Sequence, residues 1–223
     1  MNELKRVIVY LIRNFKNYLK ILVNNRVNNY YIPNLFIKNV IMIDPLKVKY
    51  FNSIPMKFYK SSKFIIDFDW DKENKLIAEH ELNHQVYGSC REIFIDGVSI
   101  EKCKMFSYLQ KNINDPKKSK GCKNKEDIIQ FLNNKKKLYE NIKKLGLRKN
   151  INNNIEFMID RNQNLVKINS GNHRFAISRI LKLKQIPVEV KLMHVNCLNN
   201  NLNVKIKINE LNSIIKNIEQ KYA

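Results

Sequence analysis

Residues 169–181 (NSGNHRFAISRIL) constrain the fold most, because their pattern is typical of a tight turn that leads directly into a helix. Gly171 allows a sharp turn and a close approach by a ligand, and Asn172 can cap the helix N-terminus. Backbone N–H groups at a helix N-terminus lack partners and carry partial positive charge, so an anion is stabilised there. The sequence therefore predicts an anion site at this turn.

Polar and basic side chains on both sides of the glycine suit a phosphate. Arg174 offers a planar guanidinium that matches phosphate oxygens, and His173 can donate to a phosphate or orient a neighbour. Together with Ser170, Gly171 and Asn172, these residues are the predicted phosphate contacts. The alternative is an ordinary helix start, with Arg174 in solvent and His173 packed locally.

The elements around this turn predict an α+β fold, a small mixed β-sheet flanked by helices. Polar turns separate the apolar runs, and Gly146 stands where a helix C-cap is expected. The predicted strands are residues 40–43, 64–70, 155–159, 165–168 and 187–193, and the predicted helices are residues 126–145, 172–183 and 205–221.

Residues 3–24 carry apolar side chains at spacings of three and four, which predicts an amphipathic helix with basic residues mostly off its apolar stripe. Either the stripe packs on the domain or on a second copy, or the helix lies on an anionic membrane surface. We expect three units: a basic helix over residues 1–27, a central domain over residues 28–200 and a terminal helix over residues 201–223.

The net charge of +21 favours anionic partners such as nucleotides, nucleic acid or an acidic membrane surface, without choosing among them. The four cysteines show no C-x-x-C spacing, which indicates reduced thiols in a cytoplasmic protein rather than a zinc knuckle. No apolar run reaches the roughly 18 residues that a membrane-spanning helix needs.

One segment predicts a different chemistry. His80, Glu81 and His84 form H-E-x-x-H, and on a helix this spacing places both imidazoles on one face, where they can bind Zn²⁺ with Glu81 as general base. The extended form of the motif requires a glycine and a third histidine, and Tyr87 and Cys90 occupy those positions. A zinc hydrolase is the less favoured alternative, and we assign no metal ligand.

The segments SGNHRFA, residues 170–176, and IPVEV, residues 186–190, resemble the ParB/sulfiredoxin-like superfamily, in which a G-x-x-R turn opens a helix and an I-P-V strand follows. Other segments resemble a ParB-like subgroup associated with surface-polysaccharide gene clusters. They are residues 43–48 (IDPLKV), 69–71 (DWD), 97–106 (GVSIEKCKMF), 138–146 (LYENIKKLG) and His194. The resemblance covers roughly residues 40–196.

The resemblance implies that ATP or CTP is bound with its phosphates on the turn and its arginine. Asn172 stands where the sulfiredoxin branch has cysteine, so sulfinate reduction is not expected. Ser170 replaces the usual aspartate of the kinase branch. Too few residues follow His194 for the helix-turn-helix of the partition branch, so DNA binding is not expected.

Phosphoryl transfer needs a positioned hydroxyl, charge stabilisation and usually Mg²⁺. Asp44, Asp69, Asp71 and His173 are the candidate catalytic residues, with Glu156 and Asp160 as further carboxylates. On a strand, Asp69 and Asp71 share one face; the alternative is that both are solvated loop acids.

The expected function is a phosphotransferase that uses ATP, or another nucleoside triphosphate, with Mg²⁺. The resemblance implies a sugar or glycan precursor as the acceptor. We expect the protein in the cytoplasm, at the inner face of the membrane if residues 3–24 bind lipid. The other class that stays open is a non-catalytic module that binds ATP or CTP. The sequence does not fix the oligomeric state.

Overall fold

The chain was studied as a computed structural model, which describes residues 39–53, 64–66, 69–148, 154–198 and 208–223. The α+β class predicted from the sequence is confirmed: the described strands form one mixed sheet with helices packed against it. The strands are β1 Val40–Ile43, β2 Tyr50–Phe51, β3 Ile65–Ile66, β4 Lys75–Leu76, β5 Ile155–Ile159, β6 Leu165–Lys167 and β7 Ile186–His194.

The sheet order is β1-β7-β5-β6-β2-β4, and β3 pairs with β7 outside this path. β7 runs antiparallel to β1 and parallel to β5, so β5 and β7 lie in the middle of the sheet. Both strands are mostly apolar and mostly buried, as expected for strands covered on two faces. β6 pairs antiparallel with β5 and ends where the predicted anion turn begins.

Six helices are described. The three helices within residues 77–111 were not predicted from the sequence. The three helices that follow them lie close to their predicted positions. They are α1 Ile77–Asn83, α2 Gln85–Phe94, α3 Lys104–Lys111, α4 Lys125–Leu145, α5 Asn172–Ile180 and α6 Ile208–Tyr222. Asn124 caps α4 by accepting from the Asp127 N–H at 2.8 Å, as the preference for asparagine at this position leads one to expect. α5 ends three residues earlier than predicted, and Lys182 beyond it adopts a left-handed φ of +50°.

The alternation of side chains along β5 divides the apolar residues between two faces of the sheet. Phe157 joins the main core, together with Phe175 of α5. The next residue, Met158, joins a smaller cluster with Trp70 and Val166. Because successive side chains of a strand point to opposite faces, Trp70 and α5 pack on opposite sides of the sheet.

The predicted strand at residues 64–70 differs from the structure at its end. Among its described residues, Ile65–Ile66 form a strand, whereas Trp70 begins a short 3-10 helix that ends at Glu73. The Asn52 side chain fixes this turn by donating to the Trp70 carbonyl at 2.9 Å. The expectation that Asp69 and Asp71 share the face of a strand is therefore wrong.

The terminal helix α6 packs into the main core through Leu211, Ile215, Ile218 and Tyr222. The Asp44 N–H donates to the Tyr222 carbonyl at 2.7 Å, which fixes the end of α6 against the end of β1. The predicted helix at residues 3–24 lies outside the described residues. Within the described part of the chain, no helix is long and apolar enough to cross a membrane.

Candidate anion-binding site

The turn predicted to bind phosphate joins β6 to α5. Gly171 is the N-cap residue of α5 and has a left-handed backbone, with φ +76°. A Cβ atom at this position would lie 2.9 Å from the Ile155 Cα atom, which is too close for any side chain. Glycine is therefore required at position 171 for two reasons: its left-handed backbone conformation and the close approach of β5.

The prediction that Asn172 caps α5 is wrong. Gly171 occupies the N-cap position without a side-chain cap, and Asn172 is the first helical residue. Its Oδ1 atom instead accepts from Nζ of Lys167 at 3.0 Å. Because no side chain of the turn caps the helix, the first N–H groups of α5 keep the capacity to bind an anion.

Lys167 is a site residue that the sequence analysis missed. Its side chain is fully buried at the end of β6. Its Nζ atom donates to the Ser170 carbonyl at 2.5 Å and to the Ile168 carbonyl, and it lies 5.9 Å from the centre of the Phe157 ring. Burial lowers the pKa of Lys167 well below its usual value, and the Arg174 charge lowers it further. The amino nitrogen of Lys167 is thus placed directly beneath the turn, bonded to oxygen atoms of the turn itself.

Arg174 lies across the turn, with its guanidinium partly buried. Its Nη2 atom donates to the Asn154 carbonyl at 3.4 Å, and it is 3.3 Å from the position that a Cβ atom of Gly171 would take. Burial lowers the pKa of Arg174, although the nearby Glu156 carboxylate favours the charged form. The arginine predicted to contact phosphate therefore faces the turn rather than bulk solvent.

Three imidazoles lie near this turn. His173 packs its ring edge-to-face with Phe131, at 6.0 Å between centroids. The rings of His80 and His84 are 4.3 Å apart, and His80 also stacks on Phe51 at 3.6 Å. Burial is the main cause that lowers the pKa of His80 and of His173 to about 3, so both rings are neutral at pH 7.

The charged groups around the imidazoles are mostly positive. Lys135 and Lys120 lower the pKa of His173 further, and Lys120 and Lys167 do the same for His84. Glu156 is the carboxylate that favours the charged forms of Lys167 and Arg174. It also pairs with Nζ of Lys191, at 3.5 Å. The site thus has an excess of positive charge, which stabilises a bound anion.

The H-E-x-x-H segment does not form the single helix that a zinc site of this type needs. α1 ends at Asn83, and His84 has an extended backbone between α1 and α2. The Nδ1 atom of His84 accepts from the Val86 N–H at 3.3 Å, and the Glu81 carboxylate pairs with Arg179 at 2.5 Å. Among the described residues, no group of three or more potential ligands could hold a metal ion.

The predicted catalytic aspartates have partners elsewhere. Asp69 and Asp71 both pair with Nη2 of Arg161, at 2.6 and 2.7 Å. Hydrogen bonds from Lys72 and Arg161 lower the pKa of Asp69 to about 2. Burial by itself raises the pKa of Asp71, but the hydrogen bonds from Arg161 outweigh it and lower the pKa of that carboxyl. This ion-pair cluster adjoins Trp70, on the face of the sheet opposite α5.

Asp44 forms a local turn at the end of β1. Its Oδ1 atom accepts from the Leu46 N–H at 2.8 Å, across Pro45. An aspartate commonly forms such a turn by accepting a hydrogen bond from the backbone N–H two residues later. Of the residues predicted to act in catalysis, the structure therefore brings His173 to the turn, whereas Asp44, Asp69 and Asp71 have structural partners elsewhere.

Comparison with known proteins gives no relative: no family model, no curated protein and no solved structure matches this chain.

Proposed function

We propose that this protein binds a nucleoside triphosphate, with ATP as the first candidate, and holds the phosphates at the 170–174 turn. One observation carries the proposal. The N-terminus of α5 lacks a side-chain cap, and it lies between the buried amino group of Lys167 and the guanidinium of Arg174. Phosphate is the anion that this combination of backbone N–H groups and a planar guanidinium suits best.

Each part of the turn has a distinct role in this proposal. Gly171 lets a phosphate approach the backbone, and the first N–H groups of α5 donate to its oxygens. Arg174 supplies a charged donor. Lys167 holds the Ser170 carbonyl and the Asn172 amide, and thereby fixes the shape of the turn.

Phosphoryl transfer with Mg²⁺ to a hydroxyl of a sugar or glycan-type acceptor is the reaction that we propose on the basis of the family resemblance. His173 is the candidate base from the sequence analysis, but its lowered pKa makes the buried imidazole a weak proton acceptor at neutral pH. The non-catalytic module is the second candidate. The partners of Asp44, Asp69 and Asp71 favour it, since these carboxylates are already held in a turn and in ion pairs.

Calorimetric titration of the full chain with ATP and with CTP, in Mg²⁺ at low salt, tests the binding proposal. We expect Arg174→Ala to weaken binding by about tenfold or more, because a charge-assisted contact is lost. Arg148→Ala is the matched control, since Arg148 is an exposed arginine next to α4. Equal affinities of wild type and Arg174→Ala would contradict the proposal.

Phosphorus NMR of the same mixtures with sugar acceptors separates the two candidate functions. Formation of nucleoside diphosphate together with a new phosphomonoester would support the transferase. Binding without any turnover, across acceptors of this class, would support the module.

A further inference from the structure

A small cleft opens on the face of the sheet opposite α5, beside the 3-10 helix that begins at Trp70. Its volume is about 290 Å³, close to the lower limit for pockets that hold small-molecule ligands. The described residues that line it all carry polar side chains, and they come from β2, from the 3-10 helix and from the turn at residues 160–164. The cleft is therefore a polar cavity separate from the turn before α5.

Two carboxylates that line the cleft are almost fully buried, since Asp71 is 7% exposed and Asp160 is 4% exposed. Oδ1 of Asp160 accepts from the backbone N–H groups of Asn162 and Asn164, at 3.0 and 2.8 Å. Its Oδ2 atom accepts from Nδ2 of Asn74 at 3.3 Å, which ties the turn to the end of the 3-10 helix. Because these bonds fix the walls, the cleft has its shape before a ligand binds.

The charged groups at the cleft are paired with one another. Nε and Nη2 of Arg161 donate to the Asp71 carboxylate at 2.9 and 2.7 Å, and Lys72 pairs with Asp69 at 2.7 Å. A phosphate gains little from cations that carboxylates already neutralise, and a metal ion would have to displace Arg161 from Asp71. The cleft is therefore suited to a neutral ligand.

Three polar groups at the cleft are available to such a ligand. Within the part of the chain that the structure describes, the Tyr50 hydroxyl, the Asn162 side-chain amide and Nη1 of Arg161 have no hydrogen-bond partner. A hydroxyl and an amide both donate and accept, whereas the guanidinium only donates. Tyr50 also packs against the small apolar cluster that contains Trp70. Ligand hydroxyl groups, which both donate and accept, match this set of partners.

We propose that this cleft binds a neutral ligand with several hydroxyl groups and the size of a monosaccharide. Tyr50, Asn162 and Arg161 supply hydrogen bonds to the hydroxyls, and the pairing with Asp71 holds the guanidinium in place. This ligand is distinct from the acceptor of the proposed phosphoryl transfer, because the cleft and α5 lie on opposite faces of the sheet. The inference therefore does not rest on nucleotide binding.

The fluorescence of Trp70 provides the test, because Trp70 is the only tryptophan of the chain and directly precedes Asp71 of the cleft. Glucose, galactose, N-acetylglucosamine and myo-inositol are titrated separately into the full chain. We expect a saturable change with at least one of them, and a dissociation constant on the order of 1 mM, as suits a ligand of about twelve non-hydrogen atoms. Tyr50→Phe and Asn162→Ala are each expected to weaken this binding by about fivefold, the size of one neutral hydrogen bond.

Tyr139→Phe and Asn134→Ala are the matched controls, because both residues lie on α4, outside the cleft. Arg174→Ala is also expected to leave this binding unchanged, so loss of ATP binding alone would contradict only the proposed nucleotide site. No saturable change with any of the four compounds would overturn the inference, as would equal affinities of wild type and the two cleft variants. Displacement of the bound compound by inorganic phosphate would overturn it as well, since it would show that Arg161 is available to anions.

Discussion

The Nζ atom of Lys167 lies 3.0 Å from Oδ1 of Asn172, and the two residues hold the turn between β6 and α5 from below. The lysine is fully buried and borders the rings of Phe157 and Phe175. A buried ammonium is costly unless oxygen atoms surround it, and here two carbonyls and one amide do so. These contacts give Lys167 a defined role in the shape of the turn, beyond that of an apolar core residue.

The first prediction concerns this lysine. Lys167→Met fills a similar volume, removes the buried charge and leaves two carbonyls without their donor. The two effects on stability oppose each other, so we expect the free energy of unfolding in urea to change by no more than about 1 kcal/mol. Affinity for ATP should fall by about tenfold or more, because the turn loses its shape. A large loss of stability with unchanged affinity would show that Lys167 has a purely structural role.

The second prediction concerns the backbone of the turn. Gly171→Ala places a Cβ atom 2.9 Å from the Ile155 Cα atom at a residue with φ +76°. Gly97→Ala is the matched control, since Gly97 has φ +68° and open space around it. We expect Gly97→Ala to cost about 1 kcal/mol of unfolding free energy and Gly171→Ala about 2–4 kcal/mol, measured by urea unfolding. Equal costs would contradict the close approach of β5.

The third prediction concerns pH. Because the pKa values of His80 and His173 are lowered from 6.5 to about 3, the unfolded chain binds protons that the folded chain does not bind. Stability is therefore full above pH 6.5 and is lost as the pH falls toward 3. We expect a loss on the order of 1 kcal/mol per imidazole at pH 5, reduced by solvent screening, in urea unfolding.

His173→Gln should remove part of this dependence. A stability that does not change between pH 7.5 and pH 5, in wild type and variant alike, would contradict the burial of these imidazoles.

The fourth prediction concerns the H-E-x-x-H segment. Glu81 pairs with Arg179, which also donates to the Pro45 carbonyl at 2.6 Å, so the carboxylate ties α1 to α5 and to the end of β1. We expect Glu81→Gln to lower the free energy of unfolding by about 1 kcal/mol. Glu140→Gln, at an exposed position of α4, is expected to have a smaller effect.

Metal analysis of the wild-type protein and of His84→Ala tests the alternative, a zinc hydrolase. Stoichiometric zinc in wild-type protein that is lost in His84→Ala would favour the hydrolase instead.

The α+β class and the helix that follows Gly171 could be predicted, because apolar periodicity and a glycine before a helix are local features. The position of Lys167 could not, since its burial depends on Phe157 and Phe175, which come from other elements. The two-residue strands β2 and β4 were missed for a similar reason: their pairing with each other and with β6 is a tertiary contact. The break at His84 was also missed, because the same residue ends α1 and caps α2.

The resemblance to a phosphate-binding superfamily pointed to the turn before α5 as a candidate site, but not to the charges that surround it. Asp69 and Asp71 were predicted from their spacing, yet their partner Arg161 lies far away in sequence. Lys120 and Lys135 belong to a loop and a helix whose positions relative to the turn only the folded chain defines. The cationic character of the site therefore could not be predicted from its motif.

A crystal structure of the full chain soaked with a non-hydrolysable ATP analogue and Mg²⁺ tests the phosphate turn most directly. We expect phosphate oxygens within hydrogen-bond distance of the first backbone N–H groups of α5 and of the Arg174 guanidinium. Phosphates bound elsewhere, for example beside Arg161 on the opposite face of the sheet, with the turn empty, would contradict the proposal.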